Sequence, residues 1–151
     1  MPNTLQVYNK LSKLPFGNQI FTRALTFKTP YFSTIHPLIV DVRPGYCRVE
    51  MPDRHGIRNH LSTIHAGALC NLCELTGGLA VEVSAPANLR WIPKEMTVQY
   101  LKKAKGKLTG ICSFDPEILT AGDVPIPLEI KNASGEAVLS ARIVFYLTPR
   151  R

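Results

Sequence analysis

Glu74 places a carboxylate in the middle of a long apolar segment that runs from Ala66 to Ala85 and meets no proline before Pro86. The segment predicts a helix of about 30 Å that is buried on all sides, because its apolar residues do not keep to one face. A carboxylate in that setting is paired with a donor, has a perturbed ionisation, or is catalytic. The segment supplies no donor, so we favour Glu74 as a nucleophile or general base over a buried structural acid.

Further chemical groups lie where this helix would begin. Asn59 could hold a carbonyl oxygen or could only bond its own loop backbone, and its residue type alone favours the loop role. His65, at the helix start, is more often a structural hydrogen-bonding residue than a base. The backbone N–H groups of Ala66 and Gly67 can donate to a developing oxyanion at a helix N-terminus. Together with Glu74 these four are the candidate catalytic residues.

Cys70 and Cys73 form a C-x-x-C pair, a spacing that can be redox-active or bind zinc. A reactive pair normally opens a helix, where the dipole favours the thiolate, whereas this pair begins well inside the segment. No second pair of residues has zinc spacing, since His55, His60 and His65 recur every five residues. We therefore expect two small core residues, no metal site and no cofactor.

The net charge of +7 favours an anionic partner, and the basic residues cluster only at Lys102, Lys103, Lys105 and Lys107. This cluster is either a solvated strand end or a phosphate site. It lacks the interleaved aromatic residues and motifs of a nucleic-acid surface, so we expect no nucleic-acid partner. Apolar residues make up 45% and charged residues 19%, which excludes a disordered chain and indicates one domain.

Localisation follows from the absence of two signals. The first residues lack the apolar centre of a signal peptide, because Lys10, Lys13 and Arg23 interrupt them. The longest stretch free of Asp, Glu, Lys and Arg, residues 59–73, is too short and too polar at its start to span a bilayer. We expect a cytoplasmic protein, whose four cysteines are then thiols.

Helix signals appear before Pro30 and again before the long apolar segment. Asn3 or Thr4 can cap a first helix that ends near Leu14. A second helix covers about residues 17–27, and its predicted apolar face consists of Phe16, Ile20, Ala24 and Phe27. Ser62 and Thr63 are residue types that cap the start of the long helix. Inside that helix, the Gly77-Gly78 pair predicts that another element packs very close.

Alternating apolar residues predict six strands, at residues 38–43, 47–51, 96–100, 108–114, 124–130 and 138–147. Pro44-Gly45 joins the first two as an antiparallel hairpin. Pro125 and Pro127, on one face of the fifth, indicate an edge strand at least locally. The fold class is therefore α+β, and the simplest arrangement is an antiparallel sheet that curls around the long helix.

Asn59, then His65-Ala66-Gly67-Ala68-Leu69, and then Glu74 nine residues after the histidine form a pattern that resembles the hotdog-fold acyl-CoA thioesterases of the phenylacetyl-CoA thioesterase type. The stretch from Pro30 to Tyr100 is similar to an uncharacterised branch of that superfamily. The resemblance covers about residues 30–147. It implies a hotdog domain at 30–151 with a helical extension at 1–29.

The resemblance also implies roles for single residues. The N–H after the histidine, on Ala66, would bind the thioester oxygen, although the family usually has glycine there. Lys102, Lys103 and Lys105 would border the CoA entrance. Some relatives carry a serine or threonine at the position of Pro93, so a hydroxyl is either absent here or supplied by Thr97.

We therefore expect a thioesterase that hydrolyses an acyl-CoA or acyl-carrier thioester. His65 and Glu74 lie about 180° apart around the helix and about 13 Å apart along it, so one chain can hardly bring both to one carbonyl. This spacing predicts a homodimer or homotetramer with shared sites. The alternative is a non-catalytic acyl-CoA or lipid-binding protein, which Ala66 and Pro93 favour, and a weaker third hypothesis is a nucleic-acid-binding protein.

Overall fold

The structure, a computed structural model, describes residues 3–151 and is built around helix α3 at Ala66–Ser84. Helices α1 at Thr4–Leu11 and α2 at Gly17–Lys28 precede the sheet. The strands are β1 Leu38–Arg43, β2 Tyr46–Met51, β3 Leu89–Tyr100, β4 Leu108–Ser113, β5 Gly122–Lys131 and β6 Ala137–Pro149. Short 3₁₀ helices lie at Pro30–Ile35, His55–Ile57 and Pro116–Ile118.

The six strands form one antiparallel sheet in the order β1-β2-β4-β5-β6-β3. Helix α3 contacts every strand, and its buried residues join those of the sheet in a single hydrophobic core. The predicted antiparallel sheet around one long helix is therefore confirmed, as is the hairpin of β1 and β2. Strand β3 begins at Leu89, well before the predicted residue 96, because it pairs with β6 along its whole length.

The two prolines of β5 explain how this strand fits between two neighbours. Strand β4 pairs only with residues 128–131 of β5, whereas β6 pairs along the full strand. Pro125 and Pro127 therefore lie where β5 has a partner on one side only, and the missing N–H groups leave no gap in the sheet. The predicted local edge is confirmed, although β5 is an inner strand in the sheet order.

The glycine pair in α3 marks a close approach to other elements, as predicted. A Cβ atom at Gly77 would lie 3.1 Å from Ile143 Cδ1, and one at Gly78 would lie 3.4 Å from the Trp91 ring. The first distance is tighter than ordinary van der Waals contact. Glycine at position 77 therefore lets the helix pack directly against β6.

Helices α1 and α2 cover one edge of the sheet. Tyr8 Oη and Asn18 Nδ2 both donate to the Val40 carbonyl of β1, at 3.1 and 3.2 Å, and the Ile39 N–H donates to Thr22 Oγ1 at 3.0 Å. Asn3 caps α1 in a capping box with Gln6. The opposite edge, β3, is twelve residues long and pairs with no strand on its outer side among residues 3–151.

The predicted apolar face of α2 points outward, which corrects the usual expectation for an amphipathic helix. Phe16 and Phe27 are 75% and 88% exposed, and Ile20 is 47% exposed. The side that packs on the protein carries Phe21 and Thr22 instead. Because Tyr8 and Phe21 join the common core, α1 and α2 are part of one packed unit, and the domain division at residue 29 stays a prediction.

Helix α3 is long and apolar enough to cross a membrane by length and composition alone. Most of it is nevertheless buried inside the protein, as the core helix of a water-soluble domain would be. Its apolar composition is thus accounted for by the sheet that packs around it.

Candidate active site

The loop between the 3₁₀ helix at His55–Ile57 and α3 is held at both ends. The His65 N–H donates to the Ile57 carbonyl at 2.8 Å, and an isolated bridge pairs Arg58 with Ile64. The Ile64 N–H donates to the carbonyl of Ala104 at 2.9 Å. These bonds bring the loop after β3 to the N-terminus of α3, so the predicted catalytic loop and the lysine cluster are neighbours.

The side chain of Asn59 organises this loop. Its Oδ1 accepts from the N–H groups of Leu61 and Thr63, at 2.9 and 3.2 Å, and its Nδ2 donates to Thr63 Oγ1 at 2.9 Å. This is the loop role that its residue type favoured. Among residues 3–151 the Nδ2 group donates one of its two hydrogens, so a second N–H remains for a ligand.

His65 caps α3, which corrects the expectation that Ser62 or Thr63 would do so. Its Nδ1 accepts from the Gly67 N–H at 2.8 Å, whereas Ser62 adopts a left-handed backbone with φ 57° inside the turn. Through this bond the His65 side chain holds the start of the helix in place. The Gly67 N–H is already bonded to His65, and its role as an oxyanion donor stays a prediction.

Ala66 keeps a free donor at the same helix end. It is the first residue of α3 and is exposed, and its N–H has no hydrogen-bond partner among residues 3–151. The N-terminal end of a helix carries a partial positive charge that stabilises an anion. The backbone N–H of Ala66 can therefore bind an oxyanion without giving up another bond.

Glu74 is exposed, and the prediction that it is buried is wrong. The sheet curls around α3 incompletely and leaves a stripe of the helix open, with exposed residues at Ala66, Gly67, Glu74 and Glu82. Within residues 3–151 the Glu74 carboxylate has no hydrogen bond or ion pair, and it lies on the wall of a cavity of about 510 Å³. An unpaired carboxylate beside an apolar cavity is free to act on a bound molecule.

The Ala66 N–H and the Glu74 carboxylate are separated along the axis of α3. Ala66 and Glu74 are eight residues apart, which is about 12 Å along a helix axis. A carbonyl group that accepts from the Ala66 N–H is therefore out of reach of Glu74 in the same chain.

The lysine cluster divides into paired and unpaired members. Lys102 Nζ lies 3.0 Å from Glu136 Oε1, and Lys107 Nζ lies 3.3 Å from Glu50 Oε2. Lys103 and Lys105 are exposed and form no ion pair within the described part of the chain. Of the three lysines expected to meet CoA, Lys103 and Lys105 are thus available and Lys102 is already engaged.

Thr97 lies on the face of the sheet that points away from α3. Its cross-strand partner is Arg142, whereas its neighbour Met96 pairs with Ile143, which contacts Gly77 of α3. Side chains alternate between faces along a strand, so Thr97 and α3 are on opposite sides. The Thr97 hydroxyl is therefore on the other side of the sheet from Glu74 of the same chain, and the proposed substrate-binding role of Thr97 stays a prediction.

The two cysteines of the C-x-x-C pair lie in different environments. Cys73 is fully buried and burial raises the pKa of its thiol, while Cys70 is half-buried and its Sγ lies 3.5 Å from Tyr100 Oη. The hydrogen bond to Cys70 and burial also raise the pKa of Tyr100. Among residues 3–151 no group of three His, Cys, Asp or Glu side chains could hold a metal ion.

Asp53 joins the two loops of the site, which the sequence did not indicate because a lone acid in a loop has no distinctive pattern. Its Oδ1 accepts from Arg58 Nε at 2.7 Å and its Oδ2 accepts from the Gly106 N–H at 2.8 Å. These two bonds, with the Arg58 bond the larger cause, hold the pKa of the Asp53 carboxyl below its ordinary value. Asp53 therefore fixes the lysine loop beside the Asn59 loop.

The Asp53→Asn variant is expected to lose up to about 1 kcal/mol of unfolding free energy at neutral pH, since partly exposed ion pairs contribute in that range. The lowered pKa makes this stability fully present above the unfolded value of 3.8, and it is lost as the pH falls through the folded pKa. Urea unfolding at pH 7 and pH 3 checks this. A stability difference that is equally large at both pH values would contradict the role of the charge.

Comparison with known proteins agrees with this architecture. A family model described as a domain of unknown function (DUF4442) matches residues 17–147. The crystal structure of the genomics target APC5556 is 32% identical, with a TM-score of 0.87 over 97% of this chain and 99% of that one. A Pseudomonas aeruginosa protein of unknown function, PA5026, described as a probable thioesterase, is 27% identical, with a TM-score of 0.78 over 91% and 97%.

The E. coli PaaI protein of the phenylacetic acid degradation operon is 16% identical, with a TM-score of 0.72 over 83% of this chain and 88% of that one. No curated protein matches the chain in sequence. The fold is therefore the hotdog fold of thioesterase-family proteins, as the sequence resemblance implied.

Proposed function

The chain belongs to the DUF4442 family, and from this premise we propose that it hydrolyses an acyl-CoA or acyl-carrier thioester at a site shared between two copies. One copy supplies the Ala66 N–H and the second N–H of Asn59 to the thioester oxygen. The other copy supplies Glu74. The observation that carries this proposal is the unpaired Glu74 carboxylate on the wall of an apolar cavity.

The reaction needs one base and one oxyanion site. Glu74 takes a proton from water as the water oxygen attacks the carbonyl carbon, and the oxygen of the tetrahedral intermediate is held by Ala66 and Asn59. The C–S bond then breaks and the thiolate takes the proton from Glu74. In the alternative sequence, Glu74 attacks the carbonyl directly, the thiolate leaves, and water hydrolyses the resulting anhydride.

The edge strand β3 supports the proposed assembly of two copies. Among residues 3–151 no strand pairs with the outer side of the twelve-residue β3, and Ile92, Tyr100 and Leu101, on it or next to it, are 50–60% exposed. An uncovered edge of this length is suited to pairing with a second copy. Two-fold pairing along β3 would bring each α3 near the other and would join the two halves of each site.

A panel of acyl-CoA thioesters tests the function, with release of free thiol as the readout. Release from at least one member, and its loss in Glu74→Gln, is the expected result. Binding of acyl-CoA without any release would instead favour the second candidate, a non-catalytic acyl-CoA-binding protein. Two features support that candidate. Pro93 stands where some relatives have the hydroxyl of a serine or threonine, and the Asn59 side chain is hydrogen-bonded within its own loop.

Mixing two inactive variants tests the shared site. Ala66→Pro lacks the donor and Glu74→Gln lacks the base, so each homodimer has two defective sites. A mixed dimer has one site with both defects and one site with none. Free exchange of subunits should therefore restore about a quarter of the wild-type activity. An inactive mixture in which mass spectrometry verifies mixed dimers would contradict the shared site.

The unpaired lysines give a prediction about the carrier. Replacing Lys103 and Lys105 with alanine is expected to raise KM for acyl-CoA roughly 3- to 10-fold at low salt, because exposed charges contribute modestly and are screened. Hydrolysis of an S-acyl N-acetylcysteamine, which has no nucleotide, should not change. Replacing Lys10 and Lys13 removes the same charge from another surface and is the matched control. An equal KM increase in both double variants would indicate a general charge effect.

A further inference from the structure

The cavity on which Glu74 lies is formed by the N-terminal helices as well as by the sheet and α3. Its volume of about 510 Å³ is within the range of about 300–1,000 Å³ that small-molecule sites occupy. Aliphatic and aromatic side chains dominate the lining, among them Phe21, Leu25, Phe32, Leu75, Leu79 and Phe145. Several of these are almost fully buried, so the floor of the cavity is apolar.

The polar groups of the cavity lie at its rim, and most are engaged. Glu82 accepts from Trp91 Nε1 at 2.8 Å and from Thr4 Oγ1 at 3.3 Å. Lys28 and Thr29, at the end of α2, are exposed. Glu74 is the carboxylate of the wall that has no partner among residues 3–151. A molecule in this cavity therefore meets apolar surface at the floor and a free carboxylate at one side.

We infer that this cavity holds the acyl chain of the thioester and that helices α1 and α2 select which acyl groups fit. The inference rests on the proposed function for its link to the thioester. The chemical class is an apolar acyl group without polar substituents, because a hydroxyl or charged group at the floor would be buried without a partner. Short acyl groups leave most of the floor unfilled.

This assignment predicts a rising preference along a series of acyl-CoA thioesters from acetyl to dodecanoyl. Each methylene that enters the apolar floor should raise kcat/KM by about four-fold, until the cavity is filled. A hydroxyl near the end of the acyl chain should reverse the gain in kcat/KM.

The single tryptophan of the chain gives a readout that does not depend on turnover. Trp91 is half-buried on the cavity wall, and a Cβ atom at Gly78 would touch its ring, so occupancy changes its surroundings. Titration with decan-1-ol, an uncharged aliphatic probe, should give a saturable change in Trp91 fluorescence. The chain of residues 1–151 is used in all of these titrations.

Two matched substitutions on α2 locate the binding. Ala24 is exposed and lines the cavity, so Ala24→Phe places a ring inside it without disturbing the core. Gln19→Phe adds the same ring on the same helix outside the cavity. Ala24→Phe should weaken decan-1-ol binding about ten-fold or more and should shift the preferred acyl-CoA to a shorter chain. Gln19→Phe should do neither.

The outcomes separate this inference from the proposed function. A missing saturable response, or equal decan-1-ol affinity in wild type and Ala24→Phe, overturns the acyl pocket even if acyl-CoA is hydrolysed elsewhere. Decan-1-ol binding that Ala24→Phe weakens, with acyl-CoA bound but no thiol released, overturns the hydrolase and leaves the acyl pocket of a binding protein. If acyl-CoA does not bind either, the acyl assignment is overturned as well.

Discussion

Replacing Ala66 with proline is expected to lower kcat about 100- to 1,000-fold, the effect of losing one oxyanion donor, while the fold survives. Proline removes the N–H of Ala66 and changes little else. Position 66 is the first residue of α3, where proline is favoured. The preceding residue, His65, has φ −64° and ψ 141°, an extended backbone that tolerates a following proline. Thiol release under saturating substrate measures the loss.

Ala66→Gly is the matched control, because glycine also changes the side chain but keeps the N–H. It should retain kcat within a few-fold and lose a little stability through the flexible backbone. Thermal unfolding of both variants verifies that the fold is intact. Equal activity in Ala66→Pro and wild type would exclude this N–H from the oxyanion site.

Replacing Glu74 with glutamine is expected to lower kcat by roughly 100-fold or more, since a positioned base contributes at least that. The amide keeps the size of the side chain and its capacity to hydrogen-bond, but it cannot take a proton from water. Because Glu74 is exposed and has no partner within the described chain, this substitution leaves no group unpaired. The unfolding free energy should therefore stay nearly constant while turnover falls.

Glu117→Gln makes the same chemical change at an exposed position outside the proposed site and should leave kcat unaltered. A Glu74→Gln variant that hydrolyses acyl-CoA at the wild-type rate would remove Glu74 from the mechanism. The non-catalytic alternative would then gain support if both proteins bind acyl-CoA equally well.

The sequence predicted the elements of the fold because their signals are local. Periods of two and of about 3.6 in the apolar residues identify strands and helices before any packing is known. The prolines of β5 identified a local edge, and Gly77 identified a close approach, because each residue type restricts the backbone or its contacts in a specific way. The sequence likewise predicted Ala66 and Glu74 on one helix, with His65 at its start.

The tertiary structure decided which of these residues have partners. The sequence favoured a buried Glu74 because apolar residues surround α3, but the curl of the sheet leaves one stripe of that helix open. The sequence placed Phe16, Ile20, Ala24 and Phe27 on one face of α2, yet the opposite side of the helix packs on the core, where Asn18 and Thr22 bond to β1.

The sequence also could not predict which hydrogen bonds form inside the site. Ala66 and Gly67 look equivalent as donors in the chain, and only the backbone geometry at His65 directs its Nδ1 to Gly67 and leaves Ala66 free. The link from Asp53 to Gly106 joins residues that are far apart in sequence, so no local pattern could indicate it. Local chemistry thus specified the candidate residues, and long-range packing determined which of them are available, because a donor or charge is free only if the folded chain gives it no partner.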